Sequence, residues 1–98
     1  MNTDFDFNLL EDIVALETDK GSMAELIVYN DDFNTFDWVI ECLMDVLSHS
    51  NEQAEQLSLI IHYKGKAAVK TAPLKVLRPL KDALVERGLS AVIETVAV

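Results

Sequence analysis

The stretch VYNDDFNTFDWVIE, residues 28–41, is where the hydrophobic period of the chain changes. Upstream, MAELIVY (23–29) is a short apolar run ending in β-formers, and it reads as a strand. Downstream, Phe36, Val39, Ile40, Leu43, Met44 and Leu47 recur at the spacing of one helical face. Asn34 is the expected N-cap of that helix, with Asp37 in its first turn, where a carboxylate suits the helix dipole. Such a junction needs only one polar acceptor, yet Asn30, Asp31 and Asp32 stand there in a row. On spacing alone two readings stay open: a turn with an over-provided cap, or a site that holds something cationic.

Outward from this junction the remaining elements follow. Ser48-His49-Ser50 breaks the first helix, and Ser50 with Gln53 forms a capping-box pattern that starts a second. Ala54, Leu57, Ser58, Ile61 and His62 share one face of it, and Gly65 is a ready terminator. KAAVKTA (66–72) reads as a second strand. A third helix begins near Pro73, with Leu74, Leu77 and Leu84 as its buried stripe, extended by Leu80 and Val85. Pro79 either kinks it or marks its true first turn. Gly88 closes it, and SAVIETVAV (90–98) is a third strand. The order β-α-α-β-α-β predicts an α+β fold: a small sandwich with a three-stranded antiparallel sheet covered by three helices. Residues 1–22 are acidic, with scattered apolar residues and the breaker Asp19-Lys20-Gly21-Ser22. They are expected to be a mobile N-terminal extension, and 23–98 the folded domain.

Composition narrows the functional classes. The 98 residues suit one domain, and with half of them hydrophobic a core is available. Seventeen acidic against eight basic residues leave a net charge of −9. Such a chain repels phosphate backbones and anionic lipid, so neither a nucleic acid nor a membrane is an expected partner. No run approaches the roughly 18 apolar residues of a membrane span. The N-terminus lacks the basic start and apolar run of a secretory signal. With one cysteine, Cys42, no internal disulfide is available, and a reducing, cytoplasmic setting is expected.

Catalysis finds little support. There is no nucleophile elbow or glycine-rich loop, and Cys42 falls mid-helix, where a buried structural thiol is the ordinary role. A calcium loop beginning at Asp31 would need glycine and glutamate where Phe36 and Cys42 stand. No metal, no cofactor and no enzymatic activity are expected. His62 is either a satisfied boundary residue or part of a site with the acidic turn. If the helix carrying it packs beside the turn, Asn30, Asp32 and His62 surround one spot. A peptide N-terminus would suit it: an ammonium with pKa about 7.7–8.0 offers three donors to an amide oxygen, a carboxylate and an imidazole.

Two elements then carry a family resemblance. NDD-F-x-x-F-x-x-V at 30–39 and H-x-x-G-K at 62–66, with their separation, closely resemble ClpS, the adaptor of bacterial Clp proteases. The likeness extends over about residues 24–98. It implies the β-α-α-β-α-β sandwich and an N-end-rule adaptor, which binds proteins beginning with Leu, Phe, Tyr or Trp. It further implies delivery to the N-domain of a AAA+ unfoldase, ClpA or ClpC, for degradation by ClpP. By position, the α-ammonium ligands implied are Asn30, Asp32 and His62, with Asp31 beside them. Asn34 takes the place of a threonine that contacts the peptide backbone. Val39 matches a pocket-wall valine and Leu43 a floor residue.

Two departures bear on selectivity. Phe36 and Ser58 stand where many members have methionines at the pocket mouth and in its wall. Serine withdraws that wall, so a roomier pocket that accepts aromatic N-termini well is expected. A monomer is expected. The alternative is the same fold used as an interaction domain or antiadaptor that ignores free N-termini. That alternative predicts indifference to N-terminal acetylation.

Overall fold

In the computed structural model, which describes residues 9–10 and 23–95, six elements follow one another. They are β1 (Met23–Tyr29), α1 (Phe36–Leu47), α2 (Asn51–Lys64), β2 (Lys66–Pro73), α3 (Leu74–Glu86) and β3 (Ser90–Thr95). This is the order and the α+β class expected from the sequence. The expected N-terminal extension lies outside the described residues except for Leu9 and Leu10, as do positions 96–98 of the third strand. Among the described residues no helix is long and apolar enough to cross a membrane.

β1, the most apolar strand, sits in the middle of the sheet, and both neighbours pair with it antiparallel in the order β2-β1-β3. Strand side chains alternate between faces, so Ala24, Leu26 and Val28 all point to one side. There they meet Ala67, Val69 and Ala72 of β2 and Ala91 of β3. The helices close this face with Cys42, Leu43 and Leu47 from α1, Ala54 and Ile61 from α2, and Leu74, Leu77 and Leu84 from α3. Each leucine taken fully from water contributes on the order of 1.5–3 kcal/mol. Burial also pushes the Cys42 thiol up, which suits its structural role.

The pairing of β1 with β2 shifts between Leu26 and Ile27, where the partners jump from Lys70 to Ala68. Val69 is the extra residue of this bulge. Its carbonyl accepts from His49 Nε2 at 2.8 Å, which places the proton of that ring on Nε2. The α1–α2 connection is thereby tied to the sheet. It begins with Ser48 in the left-handed region at φ 60° and ends with Ser50, whose hydroxyl accepts from Gln53 N at 3.1 Å.

Two expectations need correction, and one open alternative is decided. The N-cap of α1 is Thr35, whose hydroxyl accepts from Trp38 N at 3.1 Å, not Asn34. Asn34 is drawn away by its bonds to Asp31 and, across 54 residues, to Gly88, so the helix starts one residue later. Val85 does not extend the α3 stripe and is 49% exposed, whereas Leu80 packs against the core. Of the two readings of Pro79, the structure has it inside α3 and not at the first turn. A proline there has no N–H to offer the carbonyl of Lys75, and the burial of Leu74, Leu77 and Leu84 on both sides carries the helix through it.

Candidate functional site

The acidic turn and the end of α2 are brought together by the backbone. α2 terminates at Gly65, whose φ of 91° lies in the left-handed region where a side chain is strained. Its N–H caps the Ile61 carbonyl at 2.9 Å. Its carbonyl accepts from Asn30 N at 2.8 Å. Tyr29 and Lys66 are register partners on either side of this bond, and the Lys66 ammonium sits 5.7 Å from the centre of the Tyr29 ring. The sheet therefore delivers Asn30 to the last turn of α2, which carries His62.

Within the turn the two aspartates divide the work. One oxygen of Asp31 accepts from Phe33 N at 2.8 Å and Asn34 N at 2.7 Å, and the other from Asn34 Nδ2 at 2.7 Å. The Asn34 N–H bond, reinforced by the others, holds the Asp31 carboxyl below the usual range against the opposing effect of burial. Asn34 Nδ2 also donates to the Gly88 carbonyl at 2.9 Å, and Trp38 Nε1 donates to the Arg87 carbonyl at 3.1 Å. Arg87 in turn reaches Asp45 at 3.0 Å. These bonds pin the start of α1 to the α3–β3 turn. Asn34 thus has its amide donors committed, with Oδ1 left as its acceptor.

Asp32, Asn30 and His62 are left over. All three are exposed, and among the described residues none of their side chains has a hydrogen-bond or ion-pair partner. The His62 ring only packs edge-on against Tyr63, with centroids 4.9 Å apart. The turn is therefore a cap through Asp31 and Thr35, and it still presents a carboxylate and an amide that the fold does not use.

These groups line one cavity of about 240 Å³ together with Asp31, Asn34, Phe36, Val39, Ser58 and Ile61. The volume falls below the roughly 300–1,000 Å³ of drug-sized sites and suits one bulky residue. Its rim is polar, and its inner wall is made by Val39 and Ile61 with Phe36, 37% exposed, at the mouth. Eight of the nine residues expected at the site line this cavity. Leu43 is not among the lining residues; it is fully buried in the core. Ile61 was missed. Its signal was present, because it shares the α2 face with Ser58 and His62, but it reads equally as core. A second, more open groove of about 470 Å³ begins on the other side of Phe36 and is flanked by Asp37, Glu41, Asp45 and Glu55. It adds negative charge next to the site.

Asp31→Ala removes all three bonds that organise the turn. The expected loss is about 1–2 kcal/mol of stability at neutral pH, as for other cap removals. A lowered carboxyl contributes stability above its unfolded-state value near 3.9, and that contribution is lost as pH falls through the lower folded-state value. Urea denaturation at pH 7 should therefore separate the variant from the wild type, and the gap should narrow in strong acid. A pH-independent gap would mean that the carboxylate charge is not what holds the turn.

A family model described as ATP-dependent Clp protease adaptor protein ClpS matches residues 19–91. The chain is 42% identical over 64 residues to the ATP-dependent Clp protease adapter protein ClpS of Salmonella paratyphi B and to that of Salmonella newport. These stretches cover 65% of this chain and span 59% of the relatives' length. The fold is similar to a solved structure of Agrobacterium tumefaciens ClpS2 bound to L-phenylalaninamide, with a TM-score of 0.72 at 19% identity. That superposition covers 79% of this chain and 100% of the other, and at such identity the likeness concerns the fold.

Proposed function

This chain belongs to the ClpS family of ATP-dependent Clp protease adaptor proteins, and we propose that its cavity captures the free N-terminus of a protein that begins with a bulky hydrophobic residue. The observation that carries the reading is the convergence of three acceptors without a hydrogen-bond partner among the described residues, Asn30, Asp32 and His62, with the apolar Val39 and Ile61 in one cavity. An α-ammonium has three donors and one charge, and it matches an amide oxygen, a carboxylate and a neutral imidazole nitrogen. The first side chain then enters between Phe36 and the wall. In this reading Asn34 Oδ1 accepts from the peptide backbone. L-phenylalaninamide, the ligand of the structurally similar ClpS2, is a phenylalanine with its amine free, which is this chemistry in its smallest form.

In this reading the protein is a cytoplasmic, monomeric adaptor and not an enzyme. It binds substrates beginning with Leu, Phe, Tyr or Trp and hands them to the N-domain of a AAA+ unfoldase, ClpA or ClpC. Degradation by ClpP follows. No residue is assigned a catalytic role. The test is a set of fluorescent peptides that differ only at the first position: Leu, Phe, Trp, Ala and acetyl-Phe. Burial of a large apolar side chain is worth about 1.5–3 kcal/mol, so the bulky free amines should bind at least tenfold more tightly than Ala. Acetyl-Phe should bind as weakly as Ala. Equal binding of Phe and acetyl-Phe would leave only an interaction domain that ignores free N-termini.

A further inference from the structure

We propose that Ser58 selects among bulky N-terminal residues by hydrogen-bonding the polar edge of an aromatic ring, the O–H of tyrosine or the indole N–H of tryptophan. The inference rests on the amine-capture reading above. Ser58 is 2% exposed and is the buried polar residue of the described core. Its hydroxyl has no hydrogen-bond partner among the described residues. Helical serines commonly bond back to the carbonyl four residues earlier, but this one makes no such bond. It also lines the cavity, together with the apolar Val39 and Ile61. A buried hydroxyl left without a partner is costly, and the cost is removed when a ligand supplies one.

Position makes the match specific. Ser58 lies one helical turn before His62 on α2, a rise of about 6 Å. A ligand held by its ammonium at His62 extends its side chain along that turn, and an aromatic ring spans a distance of this order. A serine hydroxyl both donates and accepts, so it can take the proton of a phenol or an indole. The benzyl group of phenylalanine and the isobutyl group of leucine leave it unpaired. Sites built to bond a polar ligand group reject analogues that lack it.

The competing role is that of a spacer. Ala54, one turn earlier, is also fully buried, and two small residues in line let α2 approach its neighbours closely. The two roles separate cleanly, because alanine serves as well as serine in a spacer but cannot bond. The experiment compares the wild-type chain with Ser58→Ala, a change that helix propensity favours. Two matched peptide pairs are titrated by fluorescence anisotropy: N-terminal Tyr against Phe, and N-terminal Trp against its benzothienyl isostere, which lacks the N–H. The wild type is expected to favour the polar member of at least one pair by about three- to tenfold. In Ser58→Ala that ratio is expected to fall to near one. Ratios that are the same in both proteins would overturn the role of Ser58 while leaving amine capture intact. If acetyl-Tyr binds as well as free Tyr, amine capture fails and this inference fails with it.

Discussion

Asp32→Ala is expected to weaken binding of a peptide with a free N-terminal phenylalanine by about thirty- to a hundredfold. A hydrogen bond to a charged group contributes about 1.5–3 kcal/mol, and in the amine-capture reading deletion removes both such a bond and one counter-charge for the ammonium. Asp32 makes no hydrogen bond or ion pair with the described residues, so the loss cannot be attributed to a damaged turn. Its thermal midpoint should therefore stay close to that of the wild type. Asn30→Ala should cost less, about three- to tenfold, because an amide oxygen is a neutral acceptor. The backbone bond from Asn30 to Gly65 survives that substitution, since it uses only the main chain. Fluorescence anisotropy at moderate salt measures both, and raising the salt should blunt the Asp32 effect more than the Asn30 effect. If Asn30→Ala proves the more damaging, the ammonium is not held chiefly by charge.

Leu43→Ala is expected to destabilise the fold by about 3–4 kcal/mol, within the usual range for removing a fully buried leucine. For a domain of this size that corresponds to a fall in Tm of roughly 12–25 °C. The side chain is 0% exposed and packs in the cluster that joins α1 to the sheet and the other helices. As Leu43 is fully buried and is not among the residues lining the cavity, the order of preference among N-terminal residues should be kept by the molecules that remain folded. A small change in Tm combined with a changed preference would restore Leu43 to the pocket floor.

Much of the fold was legible because its signals are local. The switch from strand to helix at residues 28–41 needs only the change of period, and Gly65 and Ser50 announce an end and a start by their own chemistry. The errors fell where distant groups compete for a local one. Asn34 has the right residue type for an N-cap, but Gly88, 54 residues away, takes its amide, and Thr35 caps instead. Leu43 and Ile61 lie on the apolar faces of their helices, and a helical period alone cannot say whether such a residue lines a cavity or fills the core.

By itself the sequence determined the order of the elements, the faces they bury, the excess of negative charge and the list of polar residues that could form a site. These follow from periodicity, turn chemistry and composition, which act over a few residues. Only the tertiary structure decided which of those polar groups are free. Asp31 and Asp32 are neighbours with the same side chain, yet among the described residues three hydrogen bonds occupy the first and none the second. The bond from Asn30 to Gly65 and the bond from Asn34 to Gly88 set that difference, because they fix the course of the turn through contacts between segments far apart in the chain.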